Sequence, residues 1–173
     1  GLYRYDINDV IRVDGFHNEG PLISFVRKGR DMTSLTGEKL HVNHVIAAVK
    51  DAEDETKLTS VNYAMIPIVE DMRYDLLLEF TTGETNAAAV NAFLARFDEA
   101  LGQHNEEYIY KRKSGRLHAP ILHVMKSGWS DSEKKQDVAA GRRDAQYKWQ
   151  AMRHDWNDNS KSSVIDTVEM PPE

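Results

Sequence analysis

Two β runs joined by a short polar break constrain this chain more than any other feature. Val61 to Val69 is an apolar β run, and Tyr74, Leu76, Leu78 and Phe80 then alternate with Arg73, Asp75 and Glu79. Successive side chains of a strand point to opposite faces, so a period of two predicts one packed face and one largely wet face, as in an antiparallel sheet. The Glu70-Asp71-Met72 break makes the two runs a hairpin, which Thr81 to Thr85 ends. A helix is predicted from about Asn86, because Val90, Phe93, Leu94, Phe97 and Leu101 recur at helical spacing, with Gly102 as its C-terminal stop. That stripe is expected to cover the sheet, placing Tyr74, Leu76, Leu78 and Phe80 against Phe93, Leu94 and Phe97.

The flanking segments extend the same alternation. Val10 to Val13 and Leu22 to Val26 read as strands punctuated by Gly15, Asn18, Gly20 and Pro21. Val42, Val45, Ile46 and Val49 fall on one helical face, and Lys50 to Glu55 is that helix's solvated exit. Pro120 precedes a short buried-type strand, Ile121 to Met125, and Ser130 with Glu133 has the form of a helix capping box. Beyond Trp156 the chain turns polar and unpatterned, so residues 157–173 are expected to be a flexible tail on a domain of residues 1–156. This order predicts an α+β fold, a small mostly antiparallel sheet with helices packed against it.

Composition removes several classes of chemistry. No cysteine is present, which excludes disulfides, thiolate metal sites and a cysteine nucleophile. A net charge of -6 argues against a nucleic-acid partner. No run approaches the ~18 apolar residues of a membrane span, and the N-terminus lacks the pattern of a signal peptide, so a cytoplasmic location is the default. Gly1 is expected to sit at a domain boundary, since it opens inside a motif. Leu35-Thr36-Gly37-Glu38-Lys39-Leu40 lacks the pattern of a phosphate-cradling P-loop, and no Gly-x-Ser-x-Gly elbow supports a hydrolase. His41 and His44 read as a satisfied pair rather than metal ligands, and no metal site is expected. Lys111 to Arg116, flanked by Tyr108 and Tyr110, reads as a solvated connection, and Trp129, Trp149 and Trp156 as packing anchors.

The remaining candidates for chemistry are an acid and a set of cations. Asp9 follows Asn8 in a turn-forming pair, and a carboxylate there can grip two vicinal hydroxyls of a ribose. Lys28, Arg30 and Lys39 follow, with Lys39 on a Gly-Glu turn directly before a helix, a good place to present a cationic tip. Lys148 lies in Ala145-Gln146-Tyr147-Lys148-Trp149. Taken alone, each of these lysines is a surface cation.

Their order along the chain says more. Tyr3-Arg4-Tyr5 leading to Asp9, then Val10-Ile11-Arg12-Val13, Gly15-Phe16-His17-Asn18, Phe25 to Arg30, Leu35 to Leu40 and Gln146-Tyr147-Lys148 resemble the C-terminal domain of adenylate-forming enzymes. They are most similar to the acyl acid amido synthetases, which conjugate auxin or jasmonate to amino acids in plants, and to their bacterial relatives. The resemblance departs at Asp6, where the family carries arginine, at Asn8, where it carries glycine, and at Trp149 and Gln150, where a small residue and proline are usual. Asparagine tolerates positive φ best among non-glycine residues, so the Asn8 turn can survive.

The resemblance implies a mobile lid of an ATP-dependent ligase. Asp9 then binds the ribose, Lys28 and Arg30 straddle the hinge-region basic position, and Lys39 meets ATP and the transition state, with Lys148 as a second catalytic lysine. It implies ATP and Mg2+ as cofactors, a small carboxylic acid and an amino acid as substrates, and the larger N-terminal domain of the same protein as partner. The fragment alone is expected to be inactive. Two other readings remain, an acyl-CoA ligase lid using a thiol acceptor and a non-catalytic α+β interaction module.

Overall fold

In the computed structural model the described residues are 9–28, 31–81, 86–141 and 147–171. The described residues begin with an antiparallel hairpin of β1 (Asp9–His17) and β2 (Gly20–Lys28), whose turn is helped by Asn18 at φ +54°. Both strands are longer than the sequence patterns suggested, and Gly15 lies inside β1 at a register shift. Ile11, Val13, Phe16, Leu22 and Ile23 are all exposed on this hairpin. A short pair, β3 (Met32–Thr33) and β4 (Leu40–His41), leads into α1 (Val42–Thr56).

The central sheet takes the order β5 (Ser60–Ile68), β6 (Arg73–Phe80), β7 (Ile121–Met125), β8 (Val164–Glu169). β5–β6 is the expected hairpin, β6–β7 is parallel and β7–β8 antiparallel. The parallel step needs a long crossover, supplied here by α2 (Ala87–His104) and α3 (Glu106–Lys113). On one face, Tyr74, Leu76, Leu78 and Phe80 share a core with α2 residues Phe93, Leu94 and Phe97 and α1 residues Val45 and Val49, as the periodicity predicted. Phe80 and Phe93 meet edge to face at 5.6 Å. In α1 the buried face is completed by Ala48 and Ala52, while Ile46 is exposed.

The other face of β6 is not wet. Asp75 and Glu79 are 4% and 3% exposed, because α4 (Trp129–Ala139) and the segment around Trp149 cover it. Ala64, Ile66, Leu77, Met125 and Trp129 form a second core there, with Trp149 and Trp156 packed against it. Each buried carboxylate has partners, as burial requires. Asp75 takes Arg73 Nε at 3.0 Å and lies 3.3 Å from His123 Nε2. Glu79 accepts the N–H groups of Gly128 at 2.6 Å and Ser130 at 2.9 Å. The first turn of α4 is thus capped from the sheet. The Ser130 capping box does not form: the N-cap is Gly128, at φ +80°, with no side-chain cap bond of its own.

Three further expectations are overturned. Gly102 does not stop α2, which runs to His104 with Asn105 as its C-cap. A Cβ at Gly102 would lie 3.1 Å from Ile109, so this glycine lets α3 fold back closely on α2. The basic run is not a solvated connection throughout: its first half lies in α3, where Arg112 is buried and bonded to Asp98 and to the Leu117 carbonyl. Residues 157–171 are not a loose tail: they form α5 (Asp158–Ser162) and β8, which closes the sheet beside β7. Their polar sequence misled because Ser160 and Ser163 are fully buried with hydrogen bonds, while Val168 joins the first core.

Candidate functional site

Lys39 stands at the end of the turn between β3 and β4, with its side chain exposed. The turn is held from within by Glu38, which is fully buried. Its carboxylate accepts the N–H of Leu35 and of Thr36, both at 2.8 Å, the Thr36 hydroxyl at 2.7 Å and the Tyr74 phenol. Burial pushes the Glu38 carboxyl pKa upward, but these hydrogen bonds outweigh it and hold the group below the usual carboxylate range. Burial, and then the Glu38 charge, push the Tyr74 hydroxyl far above its ordinary value, so it stays a donor. Gly37 takes φ +104°, and a Cβ there would lie 3.5 Å from Lys111 Nζ, which α3 lays over the turn. The Lys39 backbone is fixed from α3 as well. Its N–H donates to Glu107 Oε2 at 3.0 Å, and its carbonyl accepts from Asn105 Nδ2 at 3.0 Å.

The next helix starts on two histidines. His41 is the N-cap of α1, and its Nδ1 accepts the Asn43 N–H at 3.1 Å. His44 Nδ1 accepts the His41 N–H at 3.2 Å and lies 3.2 Å from Asn105 Nδ2. Both Nδ1 atoms serve the backbone, and among the described residues no group of three or more metal-ligating side chains is placed to hold an ion. Burial, with His41 and His104 nearby, lowers the His44 pKa from 6.5; His104 is itself bonded to Asp51 at 2.8 Å. The unfolded chain therefore takes up the His44 proton first, so this contribution to stability is full above about pH 6.5 and declines as pH falls below it. Melting curves between pH 7.5 and 5 are expected to show a smaller acid loss in His44→Gln, which keeps an acceptor but does not titrate. Parallel curves for the two proteins would remove His44 as the source.

Lys148 lies elsewhere. It is exposed and lines a polar cleft of about 300 Å3 together with Glu133, Arg153, His154 and Asp155. The segment that carries it is tied to the outer edge of β5. Trp149 Nε1 donates to the Tyr63 carbonyl at 2.6 Å, the Met65 N–H to the Ala151 carbonyl and the Arg153 N–H to the Met65 carbonyl. Trp149 meets Trp129 edge to face at 5.1 Å, and the Arg153 guanidinium lies over both rings, 4.7 and 5.3 Å from their centroids. Arg153 also donates to Glu133, whose carboxylate accepts from Asn157, Asn159 and Ser160 as well. Leu40, beside Lys39, joins the first core, and Trp149, beside Lys148, packs on the second. The two lysines are therefore anchored to opposite faces of the sheet.

The model of the GH3 family C-terminal domain matches residues 43–155, and that of the GH3 family central domain matches residues 1–28. The chain belongs to the GH3 family. It is 29% identical over 157 residues to a probable indole-3-acetic acid-amido synthetase, GH3.1, of rice (Oryza sativa subsp. japonica), covering 86% of this chain and 25% of that protein. It is 25% identical over 162 residues to the 4-substituted benzoates-glutamate ligase GH3.12 of Arabidopsis thaliana, covering 86% of this chain and 28% of that protein. The structure of the GH3.15 acyl acid amido synthetase superposes with a TM-score of 0.69 at 22% identity, covering 96% of this chain and 32% of that one. That likeness establishes the α+β fold. The chain thus spans between a quarter and a third of the length of these GH3 relatives.

Within this GH3 chain two of the remaining candidates fall on the first hairpin. Asp9 and Lys28 are register partners at the open end of the β1–β2 hairpin. Arg30 lies outside the described residues, as do Asp6, Asn8 and Gln146. Sequence reasoning passed over Glu38, Asn105 and Glu107. For Asn105 and Glu107 a signal was present, because Asn105-Glu106-Glu107 is an N-cap followed by an acidic first turn. Glu38 gave none, because its burial depends on Tyr74, far along the chain.

Proposed function

We propose that this chain is the C-terminal part of an ATP-dependent acyl acid amido synthetase, with residues beyond the hairpin acting as its lid and Lys39 as the catalytic cation. The observation that carries this reading is an exposed lysine on a backbone fixed at both of its polar atoms, in a chain of the GH3 family. In the first step a carboxylate oxygen attacks the α-phosphorus of ATP, an acyl-adenylate forms and pyrophosphate leaves. An amino acid's amine then attacks the acyl carbon, loses a proton and displaces AMP. Negative charge grows on the phosphoryl oxygens in the first step, and an ammonium brought in from a fixed position stabilises it without reorganisation.

Asp9 and Lys28, on adjacent strands, suit the ribose and the hinge, with Arg30 beyond them. Lys148 is the second cation, presented from the opposite face. The implied Mg2+ supplies charge neutralisation on the phosphates when bound. Among the described residues no group of three or more metal-ligating side chains is placed to hold it, and the role assigned to Lys39 is its charge. The exposed apolar side chains of the β1–β2 hairpin, within the stretch matched to the central domain, support packing of that hairpin against the rest of the protein.

The full-length protein is expected to show acid-dependent ATP–pyrophosphate exchange and to release the acyl amide when an amino acid is added, while residues 1–173 alone show neither. Exchange followed by transfer only to a thiol would mark an acyl-CoA ligase. Absence of exchange across a panel of aromatic and aliphatic acids would overturn the ligase reading.

A further inference from the structure

We propose that Asn105 and Glu107 are positioning residues for Lys39, forming a clamp by which the junction of α2 and α3 fixes where the lysine's ammonium starts from. The inference rests on the reading of Lys39 as the catalytic cation, but its structural part stands alone. Both polar atoms of the Lys39 backbone are satisfied by side chains that come 68 and 66 residues later in the chain, Glu107 and Asn105. A solvent-exposed turn does not need such partners, since water serves its N–H and carbonyl equally well.

The junction that supplies them is rigid. The Asn105 N–H donates to the Leu101 carbonyl at 2.9 Å and its Oδ1 accepts the Tyr108 N–H at 3.0 Å, so one residue ends α2 and starts α3 with no linker between. Tyr108 is fully buried, and its hydroxyl donates to Asp98 at 2.5 Å, the same carboxylate that Arg112 binds. From that base the Asn105 amide reaches both the Lys39 carbonyl and His44 Nδ1, at the start of α1. The Lys39 turn is thereby held between Glu38 on its buried side and α3 on its outer side, while the lysine side chain is left exposed. Groups that must act from a fixed place are held by a second layer of this kind, and a misplacement of about 1 Å can cost on the order of 100-fold in rate.

Glu107 gives the cleaner test because it is exposed, so its truncation removes one arm of the clamp without opening the core. In the full-length protein, Glu107→Ala is expected to lower the turnover number of ATP–pyrophosphate exchange by roughly 10- to 100-fold. The KM for ATP and the unfolding midpoint should stay unchanged. Glu107→Gln, which keeps an acceptor oxygen for the Lys39 N–H, is expected to recover most of the rate. A merely structural role would not give that pattern. In a Lys39→Ala background the Glu107→Ala change should add nothing, as for two residues acting through one group. If Lys39→Ala is slow but Glu107→Ala matches wild type, the clamp is overturned and the catalytic reading survives. If Lys39→Ala itself matches wild type, the catalytic reading falls. Amide exchange at Lys39 in the 173-residue chain then decides the clamp: faster exchange in Glu107→Ala supports it, and equal exchange overturns it.

Discussion

Replacing Lys39 by alanine in the full-length protein is expected to slow ATP–pyrophosphate exchange by roughly two to three orders of magnitude, the range for losing one preorganised charge-stabilising group. Two structural facts set that expectation. The side chain is exposed, so its removal opens no cavity. The bonds that fix the turn run to the Lys39 backbone and to Glu38, so alanine keeps all of them. If, as proposed, the ammonium meets the phosphates only as the lid closes, the loss should fall on the chemical step, because binding that is stronger in the transition state raises the rate. Lys50, exposed on α1, is the control, and its alanine variant should exchange at the wild-type rate. Equal rates for the two variants would reduce Lys39 to surface charge.

Leu78→Ala is expected to cost about 2–5 kcal/mol of folding stability, read as a shift of the denaturant midpoint. Leu78 is fully buried in β6, paired with Tyr63 of β5 and Val124 of β7, in the core that α1 and α2 complete. No edge is available for the site to collapse into. Leu77→Ala should cost about as much, because Leu77 is fully buried in the second core with Trp129. A neutral Leu77→Ala beside a costly Leu78→Ala would mean that the sheet is covered on one face only.

The contrast between those neighbours shows what was legible in the sequence. Leu76, Leu78 and Phe80, with the Phe93-Leu94-Phe97 stripe, could be read because apolar periodicity is local and unambiguous. The second core could not, because its strand positions include Asp75 and Glu79, which read as solvent-facing. Their partners, Arg73, His123, Gly128 and Ser130, come largely from elements that only the fold brings near. The same reasoning covers residues 157–171. Ser160 and Ser163 look like linker residues until Glu133, Trp129 and the Asn159 carbonyl give their hydroxyls partners. At the candidate site, the turn bearing Lys39 was visible from Gly37-Glu38, and the family membership followed from motif order. What holds that turn was not visible, because its bonds span the chain.

Gly102 carries a consequence for how this fold can drift in sequence. Helices α2 and α3 meet at an elbow whose angle is set by a missing methyl group, since Ile109 lies 3.1 Å from where a Cβ would stand. A side chain at that position would act as a wedge, pushing α3 away from α2 by a few tenths of an ångström or more. The wedge would sit in the helical core, far in sequence from Lys39, yet Asn105 and Glu107 ride on the moving arm. Substitutions in the elbow can thus retune the reach of a surface lysine while leaving every residue of its own turn unchanged.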